Sequence, residues 1–317
     1  MNKLVYKMEV LKGPSELITG LDYFILASGS DYRAYQVLAN LDTSSTKVIV
    51  INFNERLLNK APGDDLFNYK KLQVKDVQDI YCAIQNPDSC LSGLQANTFE
   101  DSSKIGIDIS CFTKPYFYYL IKLFSQRFLV SKLTTYYTEP KSYLFSNGLF
   151  NTFRTSTGPL SITEIPGYSG QGSRDSKRIL IILLGFDGDL SKEINEDVGP
   201  EETIVVNGFP SYVPKFKDVS LIANEKLIDD HRVKVRFARA NNPFDVYNLL
   251  EQIRLKDGMS FMNVAPLGTK PMALGACLFA LHNPDVRVVY PLPNKYEDKY
   301  SDASWNSWAY ELPLVIQ

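Results

Sequence analysis

The sequence predicts an α/β protein made of two tandem Rossmann-like lobes with mainly parallel sheets, related by internal duplication. Three observations lead there. Short, wholly apolar runs alternate with helical patterns, as they do when crossover helices join parallel strands. The alternation occurs twice in the same order. Sequence matches also recur at nearly one offset, the clearest being Thr113-Lys114-Pro115 against Thr269-Lys270-Pro271, 156 residues apart.

In the first half, Tyr23 to Ala27 is a strand that runs into the loop Ser28-Gly29-Ser30-Asp31, and a helix is expected from Tyr32 to Leu41. Lys47 to Phe53 is the second strand. Val74 to Ile84 reads as a helix, because Val77, Ile80, Tyr81 and Ile84 fall on one face. Ile105 to Ile109 is the third strand, followed by a helix from Lys114 to about Phe128 and a strand from Leu133 to Tyr137.

The second half repeats this order. Ile179 to Leu184 is the longest apolar run and enters Gly185-Phe186-Asp187-Gly188-Asp189. Glu202 to Asn207 is the next strand. Phe244 to Ile253 is helical, with Val246, Leu249, Leu250 and Ile253 on one face. Phe261 to Ala265 is a strand, Lys270 to about Leu281 a helix, and Val286 to Tyr290 the closing strand. Residues 1–150 are therefore read as the first lobe. Residues 151–176, rich in Gly, Ser and Pro around Ile165 to Ser173, are read as a tether or a lid, with the tether favoured. Residues 177–317 are read as the second lobe with a C-terminal tail whose Trp305 and Trp308 dock on a lobe.

Composition narrows the function class. A chain of 317 residues with 44% hydrophobic and 22% charged residues has enough apolar material for two cores. A net charge of −2 excludes a globally basic nucleic-acid binder but not a local basic cleft. Two histidines and four cysteines without CxxC spacing argue against a metal site, and buried, inert thiols suit a reducing cytoplasm. No apolar run approaches a bilayer span and the N-terminus has no apolar h-region, so neither membrane insertion nor a signal peptide is expected.

In an open parallel sheet, ligands bind beyond the carboxyl ends of the strands, where helix N-termini present free N–H groups. The repeated Thr-Lys-Pro falls there. Proline at the first turn loses no hydrogen bond, Thr supplies a capping hydroxyl, and Lys adds charge beside the helix dipole. Gly268, Thr269 and Lys270 thus form a candidate phosphate or carboxylate cradle, with Thr113 and Lys114 as the first copy, where Phe112 replaces Gly268. The bland alternative is a capped helix start with a solvated lysine. Ser28, Ser30, Asp31, Arg33, Asn52, Asn54, Glu55 and Arg56 are further polar residues at strand ends, as are Asp187, Asp189, Asn207, Asn241 and Asn242.

No P-loop, G-x-S-x-G elbow or HExxH is present, and no cofactor is expected. Histidine nucleophile pairs are disfavoured, since His282 reads as a helix C-terminus and His231 as a loop residue. Any general acid or base would fall to Asp108, Asp31 or Asp187. Asp108 sits inside an apolar strand and needs a partner there. Asp31 more simply caps the next helix. Arg232, Lys234, Arg236 and Arg239 alternate with apolar residues, as the solvated face of a strand does, the other reading being a basic wall for phosphates.

The segment from Met262 to Gly275, with its strand followed by Gly268-Thr269-Lys270 and a helix, resembles the signature of CRISPR-associated Rossmann-fold (CARF) sensor domains. The related SAVED domains fuse two such units in one chain. The resemblance implies a cyclic oligonucleotide ligand, with Gly268, Thr269 and Lys270 on its phosphates and Thr113-Lys114 as a degenerate counterpart. Ser28 to Asp31 would match the family's first strand-end loop. It departs from the pattern at Leu267, where the family has a second Gly. The resemblance further implies a sensor in prokaryotic antiviral defence, either with a separate effector partner, a nuclease or an ATPase, or cleaving its own ligand as ring nucleases do. The other readings are an enzyme acting on a nucleotide or sugar phosphate in the inter-lobe cleft, and a non-catalytic assembly subunit.

Overall fold

The computed structural model describes residues 7–11, 17–29, 31–58, 74–143, 156–157, 161–172, 176–258, 260–292, 295–296 and 301–314. The chain forms two compact units, one from Met1–Leu144 with Asp298–Gln317, the other from Phe145–Glu297. In the first, the elements run β1 (Lys7–Leu11), β2 (Tyr23–Ala27), β3 (Lys47–Phe53), α1 (Asn54–Leu58), β4 (Val77–Cys82), α2 (Leu91–Gln95), β5 (Lys104–Asp108), α3 (Lys114–Gln126) and β6 (Lys132–Tyr143). The second runs β7 (Ser156–Thr157), β8 (Ser161–Glu164), β9 (Arg178–Leu183), α4 (Gly188–Val198), β10 (Glu202–Gly208), α5 (Lys215–Ala223), α6 (Glu225–Ile228), β11 (Val233–Ala238), α7 (Pro243–Asp257), β12 (Phe261–Pro266), α8 (Lys270–His282), β13 (Arg287–Leu292) and β14 (Lys295–Tyr296). The final strand, β15 (Ser301–Leu312), returns to the first unit.

The two sheets have the same plan. In the first, β4-β3-β2-β5-β6 are parallel, and β15 lies antiparallel on β6 with β1 beyond it. In the second, β11-β10-β9-β12-β13 are parallel, and β8 lies antiparallel on β13. Each core thus orders its strands third, second, first, fourth, fifth, which is the Rossmann order. Helices α3 and α8 each have 13 residues and begin at the repeated lysine. The apolar runs sit in strands paired on both sides. Ile179 to Leu183 are wholly buried, as expected of a strand covered on both faces. In α8 every residue from Pro271 to Leu281 is buried, which matches a helix with no charge after Lys270.

Four expectations are corrected. The stretch 74–84 is not a helix: it contributes β4, an edge strand parallel to β3. Ile80 and Cys82 are buried while Asp79 and Tyr81 are exposed, so the operative period is two, which separates Ile80 and Tyr81 onto opposite faces where a helix would have put them on one. The expected helix 32–41 is two short 3₁₀ turns, Tyr32–Tyr35 and Leu38–Asn40. Part of the expected tether 151–176 belongs to the second unit. There β8 pairs with β13, Ile165 N donates to Val288 O at 3.0 Å, and the buried Tyr168 returns its carbonyl to Val288 N at 2.8 Å. The C-terminal tail joins the first unit rather than the second, because β15 fills the antiparallel slot between β1 and β6. Its Trp308 docks there, with Nε1 donating to Glu139 Oε1 at 2.7 Å.

Candidate functional site

Each unit has its topological switch point where the first and fourth parallel strands are neighbours, β9 and β12 in the second unit and β2 and β5 in the first. The loops that leave these strand pairs carry the predicted site residues.

In the second unit, Thr269 N-caps α8 with extended angles (φ −61°, ψ 159°). Its Oγ1 accepts from Met272 N at 3.4 Å and donates to Ala240 O at 2.5 Å. Tyr212 OH donates to the same carbonyl at 3.0 Å. The hydroxyl therefore ties the start of α8 to the loop between β11 and α7. Gly268 is buried, and a Cβ there would sit 3.1 Å from Leu184 O, so its small size serves close packing against the end of β9. Lys270 is the first helical residue and is half-buried. A cation at a helix N-terminus opposes the dipole, a cost recovered when an anion sits at the helix start.

Around these residues the loops are tied down. Asp187 caps α4, accepting from Leu190 N at 3.3 Å. Asn242 caps α7, accepting from Phe244 N at 3.0 Å. The buried Asn207 donates to Lys217 O at 3.0 Å. Two residues that sequence reasoning missed, Ser220 and Asn224, donate to Gly185 O at 2.9 and 3.0 Å and hold the first strand-end loop. Neither belongs to a motif, and their partner lies 35 or more residues away in sequence. His282 ends α8, with Nδ1 at 3.1 Å from Tyr247 OH; burial pushes that phenol up to about 12. His231 is exposed, and Lys234 and Arg236 lie on the exposed face of the edge strand β11.

In the first unit, Ser28 is buried, its N–H donating to Ile51 O at 2.9 Å. Arg56 spans the switch point, with Nη1 donating to Ser28 O at 2.8 Å and Nη2 to Cys111 O at 3.2 Å. Its guanidinium also lies 4.9 Å over the Phe53 ring. Asp31 accepts from Arg33 N at 3.0 Å and takes a fork from the Arg33 guanidinium, with distances of 2.7 to 3.1 Å. This buried pair, anchored by Arg33 Nη1 to Thr138 O at 3.3 Å, is what holds the 3₁₀ turn. Tyr35 OH accepts from Gly29 N at 3.4 Å, and burial raises its pKa to about 12. Asp108 ends β5, is 1% exposed, and accepts from Ser110 N at 2.7 Å.

Thr113 occupies the N-cap position of α3 without a side-chain cap bond, and Lys114 begins the helix, half-buried like Lys270. Phe112, in the place of Gly268, turns into the core against Phe53 and Tyr116. Ser30 lies outside the described residues. Among the described residues no group of three or more His, Cys, Asp or Glu side chains is placed to hold a metal ion, and no helix is long and apolar enough to cross a membrane. The four cysteines are buried, and burial pushes the Cys90 thiol up to about 12.

No protein-family model matches the chain, and no curated protein matches it. Among solved structures, the chain is similar to a putative universal stress protein from Pseudomonas aeruginosa UCBPP-PA14, at 11% identity over 85% of this chain and 92% of the other, with a TM-score of 0.25. It is also similar to a universal stress protein from Archaeoglobus fulgidus, at 10% identity over 87% and 97%, with a TM-score of 0.23. Likenesses this distant carry no functional argument.

Proposed function

We propose that this protein binds a nucleotide or another phosphorylated small ligand at a Thr-Lys-Pro helix start, the one that follows β5 or the one that follows β12. The observation that supports this best is the repeated junction. Two 13-residue helices, one in each unit, begin with a Thr N-cap, then Lys, then Pro, and both follow the fourth strand of the Rossmann order. Helix N–H groups and lysine charge gathered at a switch point suit a phosphate. In the finer reading, which rests on the CARF and SAVED resemblance of residues 262–275, the ligand is a cyclic oligonucleotide. The protein would then be a sensor in prokaryotic antiviral defence that signals to a separate nuclease or ATPase. Binding is better supported than turnover, because the Asp31 carboxylate is taken by Arg33 and Asp187 caps α4.

The test is a thermal-shift screen of the full chain against mono-, di- and cyclic oligonucleotides. A ligand at 100 times its dissociation constant stabilises the fold by about 2.7 kcal/mol. The expected result is a rise in melting temperature that is lost in the double variant Lys114→Ala, Lys270→Ala. Silence across the panel, or an undiminished shift in the double variant, would overturn the proposal.

A further inference from the structure

The two helix starts share a backbone and differ in the state of one hydroxyl. Thr113 and Thr269 have nearly the same angles, φ −70°, ψ 157° and φ −61°, ψ 159°. Thr269 Oγ1 is committed twice, to Met272 N and Ala240 O. Thr113 is only 7% exposed, yet its Oγ1 has no hydrogen-bond partner and forms no cap. A buried hydroxyl left unpaired is costly, and the cost disappears when an acceptor arrives. Beside it, Cys111 and Ser28 are joined by the Arg56 guanidinium, which brings a planar cationic donor to the same strand ends. Phe112 is no obstruction at this junction, since its ring is buried in the core.

We propose that the α3 start in the first unit, with Thr113 and Arg56, is the phosphate-binding one, and that Gly268-Thr269-Lys270 in the second unit is a structural cap. A phosphate oxygen accepts the hydrogen bond of the Thr113 hydroxyl, and the Arg56 guanidinium supplies the counter-charge. This reverses the ranking the sequence suggests, in which the glycine-bearing second copy is the better cradle. It rests on the reading that the protein takes a phosphorylated ligand.

The experiment compares Thr113→Val and Thr269→Val in the full chain, with calorimetric titration of ATP and of cyclic oligoadenylates and a melting curve for each variant. The expected result is a dissociation constant weakened about tenfold or more in Thr113→Val, with its melting temperature unchanged or raised, because the hydroxyl gives up no internal bond and its burial cost is relieved. Thr269→Val keeps its affinity within about twofold and melts lower. The inference is overturned if Thr269→Val loses the ligand while Thr113→Val keeps it; ligand binding as such then stands, at the second copy. It is also overturned if Thr113→Val melts as low as Thr269→Val, since the hydroxyl would then have a partner within the protein. If no probe binds the unaltered protein, the phosphorylated-ligand reading itself fails and takes the inference with it.

Discussion

Replacing Gly275 with Ala pits helix propensity against packing, and the structure decides the sign. Gly275 lies inside α8, where Ala is favoured over Gly by about 1 kcal/mol. A Cβ at this position, however, would lie 2.1 Å from Pro243 O, 3.0 Å from Pro243 C and 2.9 Å from Val246 Cβ. The blocking atoms are the first-turn backbone of α7, which is itself held by the Asn242 cap, so no side chain can rotate away. The helices must separate by more than about 1 Å to restore ordinary contact, through a core in which Met272 and Leu278 are fully buried. Overpacking of this kind costs about 3 kcal/mol, leaving a net loss of about 2 kcal/mol after the propensity gain. For a unit of about 150 residues that lowers the melting temperature by roughly 4–8 °C. Differential scanning calorimetry of the full chain measures it. A variant that melts at or above the unaltered protein would refute the close approach of α7 and α8.

Two further outcomes follow from charges. Arg33→Met strands Asp31 in a site where the two side chains are 3% and 10% exposed, and should cost about 3–5 kcal/mol in urea unfolding; adding Asp31→Leu should recover most of it. A single-variant cost below about 1 kcal/mol would show that the pair is not buried. Glu202 is held below its ordinary value of 4.5 by hydrogen bonds from Lys177 and then Lys234. Its folded form therefore binds fewer protons than the unfolded chain at acid pH. The stabilisation is fully present above 4.5 and is lost as pH falls below that value. Melting temperature should drop more between pH 6 and pH 3 in the natural chain than in Glu202→Gln, and parallel drops would contradict the linkage.

Much of the fold was legible in the chain because buried parallel strands need unbroken apolar runs. Ile179 to Leu183 and Val48 to Ile51 have no other stable place, and both lie in strands paired on each side. The duplication was legible because helix starts impose chemistry locally: Thr, Lys and Pro at cap, first and second positions are readable without any tertiary contact. Edge elements were not. Val77, Ile80, Tyr81 and Ile84 satisfy a helical spacing, and only the pairing of Val77 to Cys82 with β3 selects the strand. Arg33 so close to Asp31 gave no sign of a buried fork, because the third member, Thr138 O, comes from β6.

By itself the sequence determined the α/β class, the two copies and the strand ends at which polar residues gather, since these follow from hydrophobic period and capping chemistry within a few residues. Tertiary structure decided what depends on partners far along the chain. It assigned the C-terminal strand to the first unit, because the free edge of β6 lies there. It made β8 an edge strand of the second. It also distinguished two identical Thr-Lys-Pro starts, giving Thr269 a carbonyl from the β11–α7 loop and leaving Thr113 without one. The motif is local, but whether its hydroxyl is spent or spare depends on which loop the fold brings alongside.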